Sequence, residues 1–276
     1  MFDTASIIEL KKYTKPQTQE FQFKRMEVKY LVNSIIADIL KGQIAFYMPF
    51  DEKAAKNPFI RSVYFDNKEL KCFNDHMNKI NPRFKIRFRQ YEKDRNFKGV
   101  GFFEIKKKIS STTIKDRFKT DMDLIYSIPD QQIPDSVFFH NKGLRTDKLI
   151  TIYSEIIGNK RKYELEPVTS VSYYREAFEN NEKSLRITFD SQLEFLSMHN
   201  SSNSIVRLPF RKPSDFMIME IKHAGQMPSW LTSLLKYNAL KKQHFSKYCD
   251  SIRELKINNC INETKTLGGL HLVELN

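Results

Sequence analysis

The sequence predicts an α+β domain in which about eight strands form one sheet and helices cover its outer side. Three observations predict it. Residues 85–91, Lys-Ile-Arg-Phe-Arg-Gln-Tyr, alternate so that Lys85, Arg87, Arg89 and Tyr91 share one face and Ile86 and Phe88 the other. Comparable alternation returns in five further stretches, each with a charged and an apolar side. Between the strands lie a few segments with helical spacing, and no repeat of 20 to 50 residues or linker divides the chain.

Residues 1–20 read as an arm, because Pro16 interrupts any helix that would continue into the first strand. From residue 21 to 31, Phe23, Arg25, Glu27 and Lys29 alternate with Met26, Val28 and Tyr30. Asn33 can cap a helix whose stripe is Ile35, Ile36, Ile39 and Leu40, ending before Gly42. A polar loop leads through Pro58 to a strand at 60–66. Asp66 or Asn67 then caps a short helix over 69–74. After the strand at 85–91, the charged, glycine-containing stretch 93–101 suits a hairpin connection. The next strand sets Glu104, Lys106 and Lys108 opposite Phe103 and Ile105, and 113–119 sets Lys115, Arg117 and Lys119 at period two.

Residues 129–158 break this pattern. Spacing through Val137, Phe138, Leu149, Ile152, Ile156 and Ile157 predicts one or two helices stopped by Gly158. Strands return at 163–168, at 171–178, which aligns Val171, Tyr173 and Arg175, and at 185–190, which aligns Arg186, Thr188 and Asp190. A polar loop covers 197–204. Residues 216–223 put Phe216, Ile218, Glu220 and Lys222 opposite Met217, Met219 and Ile221. Pro228 and Ser229 open a helix carrying Trp230, Leu231, Leu234 and Leu235, and a second helix spans 245–255. Residues 257–276 read as a tail, so the domain is 21–256.

Composition narrows the partner. A formal charge of +13 over 276 residues favours a polyanion, whether nucleic acid, an acidic membrane surface or a phosphate chain. The basic residues alternate along strands and do not form arginine-rich arms, and no signature of an RNA- or DNA-binding fold is present, so nucleic acid is disfavoured. Three scattered cysteines and six histidines make neither a disulfide framework nor a metal-ligand spacing. No apolar run approaches the ~20 residues of a membrane span, and no signal peptide opens the chain. The expectation is a cytoplasmic protein, at most peripheral to a membrane.

A cationic face on one strand is what any half-solvated sheet presents; repeated over six strands, it calls for a counter-ion. Closing the sheet on itself would turn all these faces inward and leave the apolar faces for helices to cover. The order Arg25-Met-Glu-Val-Lys-Tyr-Leu-Val, Ser62-Val-Tyr-Phe-Asp-Asn, Lys85-Ile-Arg-Phe-Arg, Phe103-Glu-Ile-Lys, Lys115-Asp-Arg-Phe, Ser172-Tyr-Tyr-Arg, Leu185-Arg-Ile-Thr-Phe-Asp, Met219-Glu-Ile-Lys and Phe245-Ser-Lys-Tyr resembles the VTC domain. That family comprises polyphosphate polymerases of the triphosphate tunnel metalloenzyme (CYTH-like) superfamily. The resemblance covers residues 22–250.

It implies a closed tunnel of eight antiparallel strands with helices outside, in which basic residues cradle a nucleotide triphosphate or a growing polyphosphate chain. Carried over, Lys29, Arg87, Arg89, Lys106, Lys115, Arg175 and Lys247 grip phosphate, and Tyr173 and Ser246 donate hydrogen bonds. Glu220 holds Mn²⁺ or Mg²⁺. Glu27, Glu104, Arg117, Arg186 and Lys222 join them as further substrate contacts. The reaction implied is attack of terminal polyphosphate, orthophosphate or pyrophosphate on the γ-phosphate of ATP, with Arg87, Arg89, Lys106, Lys115, Arg175 and Glu220 as the catalytic set. Hydrolases and cyclases of the superfamily begin Glu-x-Glu-x-Lys; here Arg25 replaces the first carboxylate before Glu27 and Lys29, which ranks polymerase above triphosphatase. A non-catalytic polyphosphate or nucleic-acid binder is the third reading. Eukaryotic members couple synthesis to translocation through attached membrane helices. None is seen in this sequence, so the expectation is a domain acting alone or docking on a separate membrane partner.

Overall fold

Alternating residues become strands whose charged side chains share one face. The computed structural model describes residues 26–97, 99–125, 133–198, 207–209 and 216–257. In chain order the elements are β1 (Met26–Asn33), α1 (Ser34–Ala45), α2 (Glu52–Lys56), β2 (Phe59–Asp66), α3 (Lys71–Met77), β3 (Arg83–Glu92), β4 (Val100–Ile109) and β5 (Thr112–Asp121). The second half comprises α4 (Asp135–His140), α5 (Thr146–Lys162), β6 (Glu166–Glu179), β7 (Leu185–Ser197), β8 (Arg207–Pro209), β9 (Phe216–His223), α6 (Ser229–Tyr237) and α7 (Lys247–Ile257). All strands belong to one antiparallel sheet in the order β1-β9-β7-β6-β2-β3-β4-β5, and β8 pairs with the far half of β7. The arm, with Phe23 and Arg25, the tail and most of the 197–204 loop lie outside the described residues.

The apolar face of the sheet packs outward under helices in two clusters. Ile86, Phe88, Phe103, Ile105 and Phe118 meet Val137 of α4 and Leu149, Ile152, Tyr153 and Ile156 of α5. At the other end of the sheet, Ile187, Phe189, Met219 and Ile221 meet Ala37, Leu40 and Ile44 of α1 and Leu231 and Leu235 of α6. Each Val, Leu, Ile, Phe or Met among them contributes roughly 1.5–3 kcal/mol on burial, so the helices belong outside and the polar face is left inside.

The sheet curls around that polar face. Laid flat, β1 and β4 would be six strand spacings, about 29 Å, apart. Yet Lys106 of β4 lies in the field of Glu27 and Lys29 of β1 and Lys222 of β9. The curl does not become a hydrogen-bonded cylinder: among the described residues β1 and β5 pair with only one neighbour each and not with one another. The closed tunnel expected from the sequence is therefore corrected to a curled sheet with a seam. Other groups take part of each free edge: on β1 Tyr30 bridges Lys242 and the Gln243 amide donates to the Lys29 carbonyl (2.8 Å), and on β5 the Asn141 side chain pairs with both backbone groups of Lys119 (2.9 Å each).

Several local expectations also change. Asn33 caps α1 as expected, its side chain accepting from the Ile35 amide, but the helix runs through Gly42 to Ala45 because Ile44 extends the buried stripe. That stripe is Ala37, Leu40 and Ile44; Ile35 and Ile39 point to solvent. The polar loop before Pro58 contains α2, capped by Asp51. Gly158 does not stop α5, which ends at Lys162, and the two strands expected at 163–178 are one, β6. Asn67 accepts from the Lys71 amide and Asp66 from those of Cys72 and Phe73, but the helix is α3, two to three residues later than expected, and its N-cap position is Leu70, whose side chain makes no capping bond. Among the described residues no helix is long and apolar enough to cross a membrane.

The β3–β4 hairpin depends on Gly101. A methyl group there would lie 2.4 Å from Phe88 Cζ and 2.8 Å from the Arg89 carbonyl oxygen. Gly101→Ala is expected to destabilise the fold by about 1–3 kcal/mol, the usual cost of overpacking. Urea denaturation checks it, and an unchanged midpoint would show that the hairpin tolerates the shift.

Candidate functional site

The curled sheet encloses one large cavity of about 1700 Å³, and α7 crosses one end of it. Four contacts fix that helix across the strands. Lys29 Nζ donates to the Phe245 carbonyl (3.1 Å) and Lys85 Nζ to Ser246 Oγ (3.1 Å). Lys247 Nζ meets Asp190 of β7 (2.5 Å), and the Tyr248 hydroxyl donates to Asp66 at the end of β2. Residues from β1, β3, β7 and β2 are thereby tied to four consecutive residues, 245–248, that lead into α7.

All fifteen residues named from the sequence line this cavity: Glu27, Lys29, Arg87, Arg89, Glu104, Lys106, Lys115, Arg117, Tyr173, Arg175, Arg186, Glu220, Lys222, Ser246 and Lys247. The whole wall carries eighteen Lys and Arg against six Asp and Glu. That excess of twelve compares with +13 for the entire chain, so nearly all of the net charge is concentrated here.

The register orders the charges in rows. Lys85, Lys106 and Lys115 stand directly opposite one another across β3, β4 and β5. Like charges so placed are destabilising. Lys106 has no ion pair or hydrogen bond among the described residues, and burial together with Lys29, Arg87 and Lys222 pulls its ammonium below the usual lysine range despite Glu27. One row deeper, Arg87, Glu104 and Arg117 are neighbours. Glu104 is almost fully buried and holds Arg87 (2.7 Å), Lys115 (2.5 Å) and, farther off, Arg117 (3.6 Å). Burial alone would raise its carboxyl, but Arg87, Arg89 and Lys115 outweigh it and bring it down to about 2. Arg89 donates to the neutral Ser62 hydroxyl (2.9 Å) and has no carboxylate in contact among the described residues.

Other cations are already balanced. Arg175 makes a two-pronged pair with Asp190 (2.6 and 2.7 Å), which also takes Lys247. Arg186 sits toward the cavity mouth against Asp51 (2.7 Å) and Glu179 (3.2 Å). Lys247 and Arg175 lie over the Tyr173 ring, whose buried hydroxyl has no partner among the described residues. Asp190 and Tyr64 were not singled out from the sequence. Asp190 reads there as one member of a strand face, and only the β6–β7 register, Arg175 opposite Asp190, reveals its role.

Glu27 and Glu220 share the Lys29 ammonium (2.9 and 3.5 Å), and Glu220 also meets Lys222 (2.7 Å). Burial would raise Glu220, but Lys222 and Lys29 hold it well below the usual carboxylate range. Two ionised carboxylates facing a cationic cavity are a donor set that fits Mn²⁺ or Mg²⁺, ions bound through one or two carboxylates together with oxygens of an anionic ligand. Among the described residues no cluster of three or more His, Cys, Asp or Glu would hold a metal by itself.

Comparison with known proteins agrees with the geometry. The family model described as the VTC domain matches residues 24–256. Vacuolar transporter chaperone complex subunit 2 of Saccharomyces cerevisiae (strain ATCC 204508 / S288c) is 23% identical over 236 residues, covering 78% of this chain. The chain spans about a quarter, 26%, of that relative's length. With the family model matched over most of its length and a basic cavity inside a curled antiparallel sheet, the chain belongs to the VTC domain family.

Proposed function

We propose that this domain is a polyphosphate polymerase that transfers the γ-phosphate of ATP to a polyphosphate end, orthophosphate or pyrophosphate inside the cavity. The observation that carries the proposal is the concentration of the chain's positive charge on one cavity wall, with a lysine row whose central member, Lys106, has no counter-ion in contact among the described residues. A linear polyanion laid across β3, β4 and β5 would neutralise Lys85 and Lys106, which no carboxylate contacts among the described residues, and would reach Lys115 beside Glu104. Arg89 offers a fork that no carboxylate occupies, and the Tyr173 hydroxyl offers a donor with no acceptor among the described residues.

Phosphoryl transfer is mostly alignment and charge neutralisation, so the wall supplies what the reaction needs without a protein nucleophile. Mn²⁺ or Mg²⁺, when bound, would supply further neutralisation of phosphate oxygens. Glu220, with Glu27 beside it, is the residue to hold the ion. Glu104 and Asp190 keep Arg87, Lys115, Arg175 and Lys247 in place before substrate arrives, so less reorganisation accompanies binding. Completion of the tunnel belongs to the same proposal: a polyanion lying between β5 and β1 would be held by cations on both, Lys115 and Arg117 on one side and Lys29 on the other. The relative from yeast is a complex subunit, and a protein partner, including one in a membrane, is proposed for this chain on that likeness.

The test is incubation with ATP and Mn²⁺, with products separated on a gel stained for polyphosphate. Chains are expected from the unaltered protein and none from Arg87→Ala or Glu220→Ala. Orthophosphate without chains would make the protein a triphosphatase in the same cavity. Product unaffected by either substitution would remove the assigned site.

A further inference from the structure

One wall of the cavity carries hydroxyls where the others carry charge. β2 presents Ile60 and Tyr64 to the cavity, and β6 presents Tyr173 beside Arg175. The Tyr64 ring is buried and stacked on Tyr248 (centroids 5.1 Å apart, 29° between planes), which Asp66 in turn fixes. Arg87 Nη1 donates to the Tyr64 oxygen at 3.4 Å. The proton of that phenol meets no acceptor among the described residues, and neither does that of Tyr173. Two immobilised O–H donors without acceptors, set among guanidinium groups, are an arrangement that an anionic oxygen completes.

Resting on the reading of this cavity as a polyphosphate site, we propose that Tyr64 is a further substrate-binding residue. Its O–H donates to a phosphate oxygen, and only the protonated phenol admits the anion, so wherever the free phenol is ionised polyphosphate binding is coupled to uptake of one proton at Tyr64. The groups that face it are Arg87 and Arg89 from β3 and Lys247 and Tyr248 from α7, with Asp66 beyond Tyr248. Burial alone would raise the phenol, but Arg87, Arg89 and Lys247 draw it down to about 8. A tyrosinate then serves as internal counter-anion to those cations and competes with phosphate. Phosphate takes over that role when it binds, and the phenol recovers its proton.

Linkage sets the sign. Below pH 8 the phenol already holds its proton and binding is insensitive to pH through this group. Above it the free protein must first take up a proton, and affinity falls by up to about tenfold per pH unit. Tyr64→Phe removes both the donor and the competing anion. At pH 7 it is expected to bind tripolyphosphate about tenfold more weakly, the value of one hydrogen bond to a charged group.

Calorimetric titration of tripolyphosphate into the unaltered protein and Tyr64→Phe at pH 7, 8 and 9 tests this. Any loss through Lys106 and Lys115, whose ammonium groups are also lowered, is shared by both proteins. The expected result is a steeper fall for the unaltered protein between pH 8 and 9; parallel profiles would overturn the proposal. A second measurement needs no variant. The tyrosinate difference spectrum of the unaltered protein is expected to show one phenol ionising near pH 8 and moving upward when tripolyphosphate is present. A spectrum that tripolyphosphate does not move would also overturn it. Absence of tripolyphosphate binding at pH 7 would sink the reading of the cavity as well, an outcome distinct from parallel profiles, which sink only the role of Tyr64.

Discussion

Asp190→Ala is expected to lower the melting temperature by about 10 °C, since losing the shared partner of two buried cations costs about 3–5 kcal/mol and a domain of this size shifts ~2–4 °C per kcal/mol. Asp190 is fully buried, and both its oxygens are used, by Arg175 in two bonds and by Lys247 in one. Removing the carboxylate leaves two positive charges facing each other in the interior. Scanning calorimetry at pH 7 measures the loss. Adding Lys247→Met to Asp190→Ala is expected to restore part of it, because one uncompensated charge disappears. A decrease below ~1 kcal/mol would place the pair among ion pairs that contribute little. The pH dependence has the same origin. Burial would raise the Asp190 carboxyl, but Arg175 and Lys247 hold it below its ordinary value. Its contribution is therefore present above the unfolded-state carboxyl range and is lost as pH falls below it.

Arg89→Ala is expected to reduce polyphosphate synthesis by about 10²–10³-fold, the scale for removing one donor aimed at developing charge. The melting temperature should stay nearly level. Arg89 is buried and donates to a neutral hydroxyl, with no carboxylate in contact among the described residues, while the nearby Glu104 and the surrounding phenols offset its burial, so the substitution breaks no ion pair. Lost activity at level stability separates a ligand-binding arginine from a structural one. A variant that loses stability and activity in parallel would make Arg89 part of the framework.

Much of this arrangement was legible in the sequence because strand alternation is local. Lys85, Arg87 and Arg89 must share a face whatever the sheet does, and the same holds for Glu220 and Lys222. The faces of helices were less legible. Ile35 and Ile39 are as apolar as Leu40, and only the position of the sheet decides that Ala37 and Ile44 go inside. Pairing across long separations was not legible at all. Asp66 and Tyr248 are 182 residues apart, and Lys247 and Asp190 are 57 apart, so no spacing rule connects them. Nor could periodicity disclose the seam, because alternation fixes which way a side chain points and not whether the first and last strands meet.

The seam does not leave two bare ledges. Gln243 occupies the Lys29 carbonyl on the outer margin of β1, and Asn141 occupies both backbone groups of Lys119 on that of β5. An exposed strand margin is a template on which a second molecule builds a foreign ladder, and plugs of this kind shorten the template without closing the cylinder.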